Sequence, residues 1–76
     1  MLPLYLTDIG TAHLIRKISG NTEVRKHLET LGFTVGEPVT LVSVLNGSVI
    51  AKVKESRVAI GEDLARKIMV ETEEYK

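Results

Sequence analysis

Glu23 and His27 lie four residues apart, the spacing that puts two side chains on one face of a helix and lets them share a metal ion. A ferrous site asks for nitrogen and oxygen donors, typically two histidines and a carboxylate steadied by outer partners. The other histidine, His13, reads as an outward position on a strand, and nothing in the sequence brings it to His27. The plainer account of Glu23 and His27 is a solvated pair worth a few tenths of a kcal/mol. They remain weak metal candidates, and no bound metal or cofactor is expected. The 76 residues include no cysteine, so disulfides, thiolate metal sites and cysteine nucleophiles are all excluded. Ser19, Ser43, Ser48 and Ser56 stand in turns or strands without a G-x-S-x-G frame. Nucleophilic catalysis needs a base and an orienting group beside the nucleophile, and two histidines at these spacings form no recognisable triad. Neither glycine-rich phosphate-binding pattern occurs, so the chain has no cradle for GTP. The expectation is a protein without catalytic residues.

Charge narrows the partners. Ten Lys and Arg balance ten Asp and Glu, whereas a general nucleic-acid binder carries a basic excess for counterion release. Nucleic acid is therefore not an expected partner. Lys52, Lys54 and Arg57 project from one face of a three-strand segment, and Arg16-Lys17, Arg25-Lys26 and Arg66-Lys67 are dibasic pairs. These suit either an acidic partner segment or RNA, or form an ordinary solvated exterior, which the interspersed acids favour. The longest nearly apolar run, Val39 to Leu45, is far short of the ~20 residues of a spanning helix, so no membrane insertion is expected. Met1-Leu2-Pro3-Leu4 lacks a basic export signal, which makes the cytoplasm the default location.

Those residues must be positioned by a small fold. At this length the chain is read as a single domain, 1–76, with a frayed tail over 72–76. With three aromatic residues, Tyr5, Phe33 and Tyr75, the core has to be aliphatic. Leu4 and Leu6 alternate with Tyr5 and Thr7 as a short strand before an Asp8-Ile9-Gly10 turn. Thr11 to Ile18 reads as a strand whose alternation breaks near Arg16, the mark of a bulge. A helix follows, capped by Asn21 or Thr22, with Val24, Leu28 and Leu31 as its apolar stripe. Gly32 suits a left-handed C′ position, with Phe33 packing back on Leu28. Val39 to Leu45 is a strand, Asn46-Gly47 a type I′ hairpin turn, and Ser48 to Lys54 an alternating strand with Val49, Ala51 and Val53 inward. A second turn at Glu55-Ser56, a strand over Arg57 to Ile60, a helical turn from Gly61 to Arg66 and a strand over Lys67 to Glu71 complete the chain. Outward Ile50 and Met69 could adjoin on the wall, while Phe33 reads as a core cap. Short strands in this order avoid open edges by bending into a small barrel. The expected class is mainly β, a small α+β fold: an SH3-like five- to six-stranded antiparallel barrel. It carries one helix after the first long strand and one short helical turn before the last.

Gly10 to Ile15, Ile18-Ser19-Gly20, Arg25 to Gly36, the three-strand segment and Ala65 to Val70 resemble the FeoA family in order and spacing. The resemblance runs from about Leu2 to Glu71. It implies a small cytosolic protein with an SH3-like fold that supports FeoB, a membrane ferrous iron permease with a cytosolic GTP-binding domain. The chain departs from many members in having Val35-Gly36 where they have Pro-Gly, a compact Asn46-Gly47 turn, and Ile60-Gly61 where a leucine-arginine pair is usual. On this reading the protein is an accessory module that docks on the cytosolic part of FeoB. Arg25, Glu29, Ile50, Lys52, Lys54 and Arg57 are the expected partner-binding residues. The alternatives are a nucleic-acid-binding small barrel, or a metal-sensing domain like the one that ends iron-dependent repressors.

Overall fold

The computed structural model describes residues 1–72, and of Thr72 the backbone alone. Six strands and two helices follow one another: β1 (Leu2–Pro3), a 3₁₀ turn (Leu4–Leu6), β2 (Ala12–Ile18), α1 (Thr22–Thr30), β3 (Pro38–Leu45), β4 (Ser48–Val53), β5 (Ser56–Gly61), α2 (Glu62–Ala65) and β6 (Ile68–Thr72). All six strands form one antiparallel sheet in the order β1-β6-β2-β3-β4-β5. The two ends of that ladder are bridged by the 3₁₀ turn and α2, which pack on each other, with α2 also against β4 and β5. The architecture is the expected SH3-like one.

Local chemistry explains the well-punctuated elements. Asn46 and Gly47 both take positive φ, 42° and 84°, which is the type I′ turn, and Leu45 faces Ser48 across it. Asn21 caps α1 by accepting a hydrogen bond from the Val24 backbone N–H at 2.9 Å. At the other end, the Gly32 N–H donates to the Glu29 carbonyl and the Phe33 N–H to the Leu28 carbonyl, both at 2.9 Å, which is a Schellman ending. Gly32 makes it possible with φ +109°. Leu28 and Phe33 are then both fully enclosed in one aliphatic core with Leu4, Ile15, Val39, Leu41, Val49, Ala51, Val53, Ile60, Ala65, Ile68 and Val70. Val24 and Leu31 pack half-buried on its margin.

The break near Arg16 is a true bulge. Ile15 faces Val70 and Ile18 faces Ile68, so three steps on β2 match two on β6, with a register shift between Ile15 and Lys17. Both Ile15 and Ile18 thereby reach the core side, and Arg16 and Lys17 are left exposed.

Several expectations change. Leu4 to Leu6 is a 3₁₀ turn, not an alternating strand: Leu4 is enclosed while Leu6, expected on the same face, is exposed, and Thr7 is buried. The Thr7 hydroxyl and N–H both bond the Leu4 carbonyl, at 2.8 and 3.0 Å, and close the turn. His13 points inward and is buried, because it shares the core-facing phase of Ile15 ahead of the bulge. Its Nδ1 lies 2.9 Å from the Thr11 carbonyl, which can only accept, so that nitrogen carries the proton. The second tight turn is Lys54-Glu55, with φ 52° and 71°, and Ser56 already pairs with Val53. Ile50 and Met69 do not adjoin, since β2 and β3 stand between their strands. Of the segment expected to fray, Thr72 is the last residue of β6, opposite His13, and 73–76 lie outside the described residues.

Candidate functional site

A cleft of about 490 Å³ lies between β2, α1 and the turn that follows α1, lined by Arg16, Lys17, Ile18, Arg25, Glu29, Thr34 and Val35. Each wall has a local cause. The bulge turns Arg16 and Lys17 out together, next to half-buried Ile18. Gly20, at φ +110°, lets the chain fold back so tightly that a Cβ there would meet Val24 Cγ1 at 3.1 Å, and this sets where α1 lies. Arg25 and Glu29, four apart, share the helix face that forms the second wall. The third wall is a type II turn over Thr34–Glu37. The Glu37 N–H donates to the Thr34 carbonyl at 3.1 Å, and Gly36 at φ +96° takes the position that needs it. Two further bonds clamp this turn to β2: the Gly36 N–H to the Ile15 carbonyl at 2.8 Å, and the Ile15 N–H to the Glu37 carbonyl at 3.0 Å. Val35 is thus held out at the rim, 63% exposed.

Charge in the cleft is unbalanced. Arg16 donates through Nε to Glu71 at 3.0 Å, leaving its terminal nitrogens free of protein partners among the described residues. Lys17 and Arg25 have no carboxylate within 4.0 Å among the described residues. Three cations and one acid line a single hollow of a chain whose net charge is zero.

A shallower hollow of about 270 Å³ lies on the outer wall of the three-strand segment, lined by Glu37, Pro38, Thr40, Lys52, Lys54 and Glu55. Lys54 reaches Glu37 at 3.4 Å. Lys52 sits directly across the ladder from Arg57, a like-charge pair that costs stability, and Ile50 lies on the same face, half-buried opposite Ala59. The expected partner residues are therefore divided. Arg25 and Glu29 belong to the cleft, Lys52 and Lys54 to the outer hollow, and Ile50 and Arg57 to the wall beside it. Sequence reasoning passed over Arg16, Lys17, Ile18 and Val35 as cleft residues; the signals were the dibasic pair at the broken alternation and the Val-Gly turn.

Glu23 and His27 are both exposed on α1. Among the described residues no three His, Cys, Asp or Glu side chains gather in a way that could hold a metal ion. On the far side, the Arg66 guanidinium donates to Glu62 at 2.9 Å and stands 5.2 Å from the Tyr5 ring centroid. The bond to that carboxylate keeps Arg66 charged by raising its pKa further above the ordinary value.

The sequence matches the FeoA domain family over residues 2–72. The chain belongs to the FeoA family. A curated FeoA relative from Methanocaldococcus jannaschii, named Fe(2+) transport protein A, is 36% identical over 75 residues, covering 99% of this chain and 92% of the relative. The crystal structure of an iron uptake regulatory protein, FeoA, superimposes with a TM-score of 0.85 at 28% identity, over 92% of this chain and 95% of that one. FeoA of Stenotrophomonas maltophilia, a zinc-complexed SH3 domain protein, gives 0.78 at 22% identity over 93% and 91% and supports the fold alone. No helix among the described residues of this FeoA protein is long and apolar enough to cross a membrane.

Proposed function

We propose that this protein is an accessory module of ferrous iron uptake that works by docking on the cytosolic part of a FeoB-type iron permease. The observation that carries this is the family match across nearly the whole chain, joined by a 36% identical relative named for Fe(2+) transport. The surface supports it in kind: two hollows rimmed by charge, and neither of them a deep pocket of converging acid and base groups. A module of this sort has one lever on its partner, a difference in affinity between the partner's conformational states. In the cytoplasm it acts without chemistry of its own, and the iron is the permease's cargo.

Calorimetric titration of the permease's cytosolic domain, without nucleotide, with GDP and with a GTP analogue, tests the proposal. The expected result is binding whose affinity differs between nucleotide states. Absence of binding in every state at high micromolar concentration would defeat it.

A further inference from the structure

We infer that the cleft between β2 and α1 is a receptor for an acidic peptide segment that carries one apolar side chain among its carboxylates. The inference rests on the docking reading above and gives the chemistry of the docked segment. Three features of the hollow agree on it. The cations Arg16, Lys17 and Arg25 surround it, and Lys17 and Arg25 find no carboxylate within 4.0 Å among the described residues. The hollow also offers apolar surface, from half-buried Ile18 and from Val35 held out in its clamped turn, which a purely ionic ligand would leave unused. Glu29, the lone acid of the lining, offers an acceptor for a backbone N–H of an extended segment.

Polyanions in general are a poorer fit. The chain is neutral overall, so it lacks the field that gathers nucleic acid, and three cations around an apolar patch make too short a track for a phosphate backbone. A peptide that places a leucine-sized group against Val35 and Ile18, with acids to either side, satisfies every part of the hollow. The like-charged Lys52–Arg57 wall lacks this combination, because its hollow already contains Glu37 bonded to Lys54, with Glu55 beside it.

The test is a titration of the full ¹⁵N-labelled chain with Ac-Asp-Glu-Leu-Asp-Glu-NH2, followed by amide resonances. Saturable shifts centred on Ile18, Arg25 and Val35 are expected. Lys17→Glu and Arg25→Glu should each weaken binding on the order of fivefold, and so should a rise from low to moderate salt, since the pairs are only partly shielded from water. Lys52→Glu should leave the affinity within about twofold, and all three variants should keep the parent spectrum because exposed substitutions barely disturb folding. The inference is overturned by shifts centred on Lys52 and Arg57, by equal binding of the Ac-Asp-Glu-Gly-Asp-Glu-NH2 or Ac-Lys-Lys-Leu-Lys-Lys-NH2 peptides, or by tighter binding of a short RNA. It falls too if the same resonances move with protein concentration alone, which would give the cleft to a second copy, or if no saturable shift appears by low millimolar peptide. A second arm uses the permease's cytosolic domain. Binding that ignores Arg25→Glu sinks the cleft and spares the docking reading, whereas a bound peptide with an indifferent permease does the reverse.

Discussion

Gly32→Ala is the substitution whose cost can be worked most closely. Two separate penalties meet at this position. The first is conformational: φ +109° lies beyond the left-handed helical region, and an L-residue forced there loses about 1–2 kcal/mol. The second is steric: a Cβ built on Gly32 would stand 3.3 Å from Val53 Cγ1, tighter than ordinary contact, and Val53 is enclosed in the core with little room to yield. Pushing one methyl into a packed core adds roughly 1 kcal/mol, the low end of overpacking. Gly10→Ala supplies the internal control, because Gly10 has φ +89° and nothing within 4 Å of its would-be Cβ. The expectation is a loss of ~2–3 kcal/mol at Gly32 against ~1–2 kcal/mol at Gly10. For a domain of this size, that puts the Gly32 variant's Tm roughly 10–20 °C below the parent. Urea unfolding followed by circular dichroism, with the parent and both variants at one temperature, measures the difference. Equal losses would show that the approach to Val53 carries no cost. A Gly32 variant within ~0.5 kcal/mol of the parent would refute the account of how α1 ends. Because α1 supplies Arg25 and Glu29, the same variant should also weaken any ligand that uses the cleft.

Three further outcomes are expected. Asn21→Ala removes the bond from the Val24 N–H and should cost about 1 kcal/mol in the same unfolding assay. The double substitution Lys54→Asn with Glu55→Gly relieves two positive φ values at a turn that favours Asn-Gly; it should gain about 1 kcal/mol, less a few tenths for the exposed Lys54–Glu37 pair, and a fall in the denaturation midpoint would show the turn to be unstrained. Val35→Pro suits the second position of the Thr34–Glu37 turn and should raise stability by about 0.4–1 kcal/mol, while removing the exposed isopropyl group that the cleft presents; a loss of stability would mean the turn is not type II.

These turns and caps also show how much of the fold is legible in the sequence alone. Asn46-Gly47, a cap at Asn21 or Thr22, the Gly32-Phe33 ending and the bulge at Arg16 are all legible because the chain signals them within a few residues. The 3₁₀ turn at Leu4–Leu6 is not, since its form depends on Leu4 reaching a core assembled by distant strands and on Thr7 folding back on it. The inward face of His13 escapes the sequence for a related reason: the phase of β2 is fixed by Ile15 opposite Val70, a pairing across 55 residues. The Lys54-Glu55 turn lies one residue ahead of the expected one, as neither type normally takes positive φ and the pairing of Val53 with Ser56 imposes it. The cleft shows the same division. Arg25 and Glu29 could be chosen from helical spacing alone. Val35 and the Arg16-Lys17 pair join them only through the two bonds that tie Ile15 to the Gly36-Glu37 backbone.

The order of the ladder gives the last strand an unusual duty. Residues 68–72 lie between the first two strands, with Leu2 against Val70 on one flank and Ile15 against Val70 on the other, so neither early segment bonds the other directly. A growing chain can zip its hairpins at Asn46-Gly47 and Lys54-Glu55 as soon as those residues are available, but Leu2–Pro3 and β2 must wait for a keystone that is synthesised after both hairpins. Losing that keystone would orphan Leu2–Pro3 altogether and strip β2 of one of its two neighbours.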